Sequence, residues 1–354
     1  MDAETLARRA ACHTFLHADG YVPPATLLAS VPADTVPDVY GEGGVVAELE
    51  AHVADLLGHE AGVFLPSGTM AQAATLRVHA DARARRTVLW HPLCHLERHE
   101  LQAHARLHDL VGRPVGEPDR LVTLADLGAV AEPPAALLLE LPQRDLGGQQ
   151  PPWDDLVAQV GWARERGAAV HLDGARLWEA SAGYGRHPRE VAALFDTAYV
   201  SFYKGVGALA GCAVVGPRPV VEEVREWRRR LGGTLYGLWP AAASALALLP
   251  DRLAEMPHRL EHARAVAAAL SDLPGVTVVP EVPQSPMMHL LLDTTADRFA
   301  ERARRLAEDE GVWTWAAARP TGDPHRVRVE LAVGRATLDL RPERVAGIVA
   351  ALLG

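Results

Sequence analysis

The chain has 354 residues, 49% hydrophobic and 23% charged, which are ordinary globular values at a length beyond what one core usually fills, so two lobes are expected. A formal net charge of −10 argues against a nucleic-acid surface, because phosphate contacts need clustered Lys and Arg and only Arg228, Arg229 and Arg230 form a run. Three cysteines, Cys12, Cys94 and Cys212, are odd in number and lack C-x-x-C spacing, the N-terminus has no secretory pattern, and no apolar run approaches the ~18–20 residues that span a bilayer, all of which suits a cytoplasmic protein with reduced thiols.

In chain order, a short helix is expected over Ala3–Ala11, then an irregular arm to about residue 37. Val45, Leu49, Val53, Leu56 and Leu57 have helical spacing, with Gly58 as a C-terminal cap. The apolar run Gly62–Leu65 reads as a strand entering Ser67, Gly68 and Thr69, and Met70–His79 reads as a helix. That turn therefore lies at a helix N-terminus, where free N–H groups and the dipole favour an anion; the same residues are also ordinary helix-capping chemistry. Thr87–Trp90 is a strand that leads into His91, His95, His99 and Glu100. A metal hydrolase built on His91, His95 and His99 is the alternative from a different class, but the order is not His-Glu-x-x-His and no second ligand cluster stands out, so no metal is assigned.

Ala135–Glu140 is a second buried strand, followed by Leu141, Pro142, Gln143 and Arg144. A helix over Asp154–Glu165 precedes the strand Ala168–Leu172, which delivers Asp173, and the strand Thr197–Ser201 delivers Lys204, 31 residues further on. Strands alternating with helices predict a mainly parallel α/β sheet covered on both faces, whose ligands bind outside the strands' carboxyl ends. Lys204, hemmed by Phe202, Tyr203, Val206 and Gly207, is poorly placed to reach water; burial lowers an amine's pKa, and an unprotonated amine is what attacks an aldehyde. A charged helix over Pro217–Leu231 stops at Gly232 and Gly233, and Trp239–Leu249 reads as a short apolar helix linking two lobes. The remainder reads as helix Leu253–Leu270, strands Val276–Val279 and Met288–Leu292, helix Ala296–Glu310, strand Val327–Val333 and helix Arg341–Leu353. The expected division is an arm over 1–37, a large domain over 38–250 and a small α+β domain over 251–354.

His171-Leu-Asp-Gly-Ala-Arg176 followed by Ser201-Phe-Tyr-Lys-Gly-Val-Gly-Ala208 resembles the low-specificity threonine aldolase and β-eliminating lyase group of fold-type I pyridoxal phosphate (PLP) enzymes. Asp38-Val-Tyr-Gly-Glu42, Pro66-Ser-Gly-Thr-Met70 and Arg230-Leu-Gly-Gly233 match in the family's order, and the likeness runs from Asp38 to the C-terminus, weakening after Pro250. The resemblance implies a seven-stranded sheet, with Cys212–Val215 antiparallel in it, and the cofactor PLP. It implies that Lys204 binds PLP covalently, Asp173 pairs with the pyridine nitrogen, His95 stacks on the ring with Glu100 five residues on, and Ser67, Gly68 and Thr69 hold the phosphate.

By the same resemblance Arg176 and Arg328 grip the amino acid's carboxylate, Arg326 and Arg335 contest the latter place, and Gln143 stands where many relatives carry a histidine near the substrate hydroxyl. Glutamine hydrogen-bonds but accepts no proton near neutral pH, which leaves His95 or a water as candidate base. Two further departures are the absence of the expected serine around Leu16–Gly20 and of an arginine after Gly233, which shifts phosphate neutralisation toward Arg229, Arg230 or backbone donors. The implied reaction is Cα–Cβ cleavage of a β-hydroxy-α-amino acid to glycine and an aldehyde; β-elimination and glycyl transaldolase chemistry are the alternatives. A homodimer or homotetramer with shared sites is implied, with Tyr40 and Arg228–Arg230 as cross-subunit candidates.

Overall fold

The computed structural model describes residues 1–353, and the chain divides into two compact units. One gathers residues 24–145 and 150–254; the other gathers 1–23, 146–149 and the chain from 255 on. The strands are β1 (Thr14–Phe15), β2 (Ala61–Leu65), β3 (Thr87–Trp90), β4 (Val111–Pro114), β5 (Ala136–Glu140), β6 (Ala169–Gly174), β7 (Thr197–Ser201), β8 (Cys212–Gly216), β9 (Val276–Val279), β10 (Met287–Leu292), β11 (Val312–Trp313), β12 (Arg319–Pro320) and β13 (Val327–Ala332).

The first unit is built on a seven-stranded sheet in the order β2-β8-β7-β6-β5-β3-β4. β4, β3, β5, β6 and β7 run parallel, and β8 is antiparallel to both its neighbours. Every residue of β2, β6, β7 and β8 is buried, the unbroken burial of strands covered on both faces. Each Val or Leu so buried contributes about 1.5–3 kcal/mol. Because β8 alone reverses direction, β2, β3, β5, β6 and β7 all end at one edge of the sheet. Ser67, His95, Glu140, Asp173 and Lys204 follow or occupy those ends.

Two features depart from the sequence reading. The edge strand β4 carries Gly112 and Pro114 and is largely exposed, so no alternation marks it; only pairing with β3 makes it a strand. The helix read as two segments is one, Trp239–Ser271, continuous through Pro250 and Pro257. An interior proline costs a helix about 3 kcal/mol. Leu249, Met256, Leu260, Val266 and Leu270 along the same helix are all buried, and their packing outweighs that local preference.

In the second unit the four strands β12-β13-β10-β9 form an antiparallel sheet. β13 alternates buried Val327, Val329 and Leu331 with half-buried Arg328, Glu330 and Ala332, so one face meets the core and the other does not. The start of the chain is not a loose arm. β1 pairs in parallel with β11, Ala18 bridges to Val333, and Leu16 is buried in a cluster with Val266, Leu290, Phe299, Val329 and Ile348. His17 Nδ1 accepts the Ala332 N–H at 3.1 Å and Asp19 accepts the Arg335 N–H at 2.9 Å, so side-chain acceptors on this segment tie it to the end of β13 and the helix start beyond it.

Candidate active site

Asp173 and Lys204, 31 residues apart in sequence, line one cavity of about 580 Å³ at the sheet edge where the parallel strands end. Ser67, Gly68, Thr69, His95 and Arg176 line it too. That volume lies within the roughly 300–1,000 Å³ of small-molecule sites.

Lys204 follows β7 after a tight turn in which Gly207 N–H donates to the Lys204 carbonyl at 3.0 Å and Ala208 N–H to the Phe202 carbonyl at 2.8 Å. Phe202 and Val206 on either side are fully buried, which anchors the turn. The ammonium is held below its ordinary pKa, first by burial and then by the Arg176 guanidinium, against the pull of Asp173 and Glu140. Asp173 is 2% exposed, and one of its oxygens accepts the Ala175 N–H at 3.1 Å, which fixes the carboxylate at the strand end.

The helix Gly68–Arg83 begins at the cavity. Ser67 is its N-cap residue yet makes no side-chain capping bond, so its hydroxyl and the first-turn N–H groups are left for a ligand. A side chain at Gly68 would collide with the Tyr199 hydroxyl, so only glycine lets the backbone come this close. His95 opens the short helix His95–Arg98, and its Nδ1 lies 2.9 Å from Glu100 Oε1, the five-residue spacing read in the sequence. Glu100 is buried; burial pushes its pKa up, and hydrogen bonds from His95 and Thr69 oppose the rise.

Other candidates are placed elsewhere. Gln143 is buried and lines a small neighbouring void with His91, Cys94 and Gln159; its Nε2 donates to Glu140 Oε2 at 2.9 Å. The Lys204 cavity receives Glu140 and Arg144 from that segment instead. Arg328 belongs to the second unit, on the half-buried face of β13, where Arg326 bonds Asp293 and Arg335 bonds Glu255, while Arg328 has no ion pair among the described residues. Arg228 is turned inward, 2% exposed, donating to the Phe64 carbonyl at 2.7 Å, and Arg230 lies over the Trp227 ring. Arg229 borders a separate surface groove with Tyr40, Glu42 and Thr234.

The His95 and His99 rings lie 5.1 Å apart, but the three histidines do not gather at one point. His91 is committed to the backbone, Nε2 to the Arg120 carbonyl and Nδ1 to the Leu93 N–H, whereas His99 faces Asp145 at 3.5 Å. Among the described residues no three His, Cys, Asp or Glu side chains are grouped to hold a metal ion.

Sequence reasoning missed Gln72, Glu140, Arg144, Tyr199 and Tyr203 as cavity residues. Position after a strand end was the available signal for Glu140 and Arg144; nothing local marks Gln72. It is joined to a buried chain of bonds: His171 Nε2 to Gln72 Oε1 at 2.7 Å, His171 Nδ1 to Thr197 Oγ1 at 2.8 Å, and Thr197 Oγ1 to His79 Nε2 at 2.8 Å. Burial pushes His79 down from 6.5 to about 4 and His171 to about 3, with Arg83 and the neighbouring imidazole adding to the effect.

Both imidazoles are neutral in the folded protein at pH 7 and must charge on unfolding at mild acid. Through these two groups the unfolded chain binds more protons than the folded one between pH 6.5 and about 4, so their contribution to stability falls as pH falls through that window. Each pKa unit is worth about 1.4 kcal/mol. Urea midpoints measured from pH 7 to 5 are expected to decline, and less steeply in His79→Gln; an unchanged slope in that variant would refute the assignment.

The Beta-eliminating lyase family matches residues 27–292, three quarters of the chain. The chain belongs to that family. It is 26% identical over 292 residues to low-specificity L-threonine aldolase 1 of Arabidopsis thaliana, covering 79% of this chain and 81% of that one. It is similar to a putative aromatic amino acid beta-eliminating lyase/threonine aldolase from Exiguobacterium sp. 255-15 (36% identity, 98% of each chain, TM-score 0.91). A putative L-allo-threonine aldolase from Listeria monocytogenes EGD-E superposes equally well (34% identity, 98% of this chain, 97% of that one, TM-score 0.91). The architecture is that of fold-type I PLP enzymes, and family membership implies PLP. The residues present fit it: an uncommitted N-cap hydroxyl and helix N-terminus for a phosphate, a buried carboxylate for a pyridinium, and an amine kept toward its neutral form for an aldehyde.

Proposed function

We propose that this family member cleaves the Cα–Cβ bond of a β-hydroxy-α-amino acid, releasing glycine and an aldehyde, as a threonine aldolase does. The observation that carries the reading is the meeting of Lys204, Asp173, His95 and the Ser67–Thr69 helix start in one cavity. When bound, PLP supplies an electron sink conjugated to the amino acid's nitrogen.

The chain's own residues do the rest. Lys204 would provide the amine that holds the cofactor's aldehyde carbon. Asp173, its carboxyl group fixed by the Ala175 N–H, would pair with the ring nitrogen and favour its protonated form. Ser67, Gly68 and Thr69 would hold the phosphate through a hydroxyl and helix N–H groups, and the His95 imidazole, tethered to Glu100, would pack against the ring. Arg176 offers the substrate carboxylate a planar two-donor fork.

We further propose a homodimer or homotetramer in a reducing, cytoplasmic setting. Tyr40, 55% exposed, meets Tyr236, 73% exposed, edge to face at 5.5 Å, beside exposed Val39 and Leu235, an aromatic patch that a second copy would cover. The three cysteines are free and buried, and no described helix is long and apolar enough to cross a membrane.

The test is a product assay on the holoenzyme with threonine, serine, phenylserine and a β-substituted alanine. Aldehyde and glycine are the expected products from the hydroxy amino acids. Release of pyruvate and ammonia alone would replace this reading with β-elimination.

A further inference from the structure

Cleavage requires a group that takes the proton from the substrate's β-hydroxyl, and Gln143 neither accepts one nor lines the cavity. Glu140 is the last residue of β5, paired in register with Asp173 on β6, and it lines the cavity that holds Lys204. Residues Ala136–Leu139 before it are buried in the sheet, whereas Glu140 is half-buried because it opens into that space. Both its oxygens are held: Gln143 Nε2 donates to Oε2 at 2.9 Å and the Arg144 N–H donates to Oε1 at 3.1 Å. A carboxylate has about four acceptor sites, so two donors orient it and leave capacity toward a ligand. Burial and the charge of Asp173 push its proton affinity up from the carboxylate range, the direction a base working near neutral pH needs.

We propose that Glu140 is the catalytic base for the β-hydroxyl, with Gln143 as its positioning residue; this rests on the aldolase reading above. The hydroxyl proton passes to the Glu140 carboxylate, the O–H electron pair forms the aldehyde C=O, and the Cα–Cβ bond breaks. Its electron pair stays with Cα, which takes up one proton to become glycine, so the proton count closes. In this arrangement Gln143 acts on the reaction only through Glu140, to which its amide donates.

The experiment compares wild type, Glu140→Gln and His95→Asn, each with its cofactor spectrum recorded, in two assays. One is aldehyde release from phenylserine. The other is exchange of the glycine α-proton in D₂O by NMR, a reaction with no β-hydroxyl. Glu140→Gln is expected to bind cofactor and exchange glycine at near the wild-type rate while losing about 10²–10⁴-fold in cleavage. Should it fold poorly or lose the cofactor, Gln143→Leu, which removes the orienting donor, is expected to lose roughly 10- to 100-fold in cleavage with exchange kept. Cleavage near the wild-type rate in the variant so tested overturns the proposal, as does equal loss of exchange and cleavage with cofactor bound, or loss of cleavage confined to His95→Asn. A wild-type enzyme that exchanges glycine but releases no aldehyde from any hydroxy amino acid overturns the aldolase reading itself, and this inference with it.

Discussion

Lys204→Ala is expected to lose the covalent attachment of PLP and, with it, essentially all turnover. In wild type, borohydride should bleach the visible band and leave the cofactor bound through denaturation; in the variant the cofactor should wash out. General acid–base catalysis by one side chain is worth about 10²–10⁴-fold, and the proposed role of this lysine includes the covalent step as well, so the loss should reach at least the upper part of that range. The physical basis is specific. Burial between Phe202 and Val206, helped by the Arg176 charge, holds the amine toward its neutral, nucleophilic form at a pH where a free lysine is almost wholly protonated. Retention of a borohydride-sensitive band in Lys204→Ala would end the assignment.

Asp173→Asn should be nearly as costly, for a different reason. The substitution keeps shape and one hydrogen-bonding oxygen, so the Ala175 N–H remains satisfied, but it removes the buried negative charge opposite the proposed ring nitrogen. Breaking one side of a buried ion pair costs about 3–5 kcal/mol. Expressed on a barrier, that is roughly two to nearly four decades in kcat/KM. Steady-state rates at saturating PLP, with the visible spectrum recorded alongside, separate loss of charge from loss of binding. A variant within a few-fold of wild type would show that Asp173 does not govern the ring. Asp173→Glu, which restores the charge with a longer reach, should recover part of the loss.

Much of the site is legible in the amino-acid sequence. Asp173, Lys204 and the Ser67–Thr69 turn each follow an apolar run short enough to be a buried strand, and a residue just past such a strand lies at a sheet edge whatever its partners are. His95 and Glu100 are singled out only through the family resemblance, and the structure adds their 2.9 Å contact, with Glu100 just beyond the helix His95–Arg98. Gln143 shows the limit of that reasoning. Its place in the order of motifs puts it beside the substrate, but its side chain turns to Glu140, and a choice between two neighbouring directions depends on what fills each of them. The edge strand β4 and the unbroken helix Trp239–Ser271 illustrate the same limit for the fold, since pairing in one case and burial in the other overrode a local preference.

What belongs to the sequence alone is therefore the set of short-range features: apolar runs and their period, the helix-start anion site, and the chemical identity of an amine and a carboxylate held at strand ends. Tertiary structure decided which of these features face one another, bringing Glu140 and Arg144 into the cavity beside Lys204 and leaving Gln143 behind them. The reason is that a hydrogen-bonding direction and a shifted pKa are set by neighbours distant in the chain, and those neighbours exist only once the strands have paired.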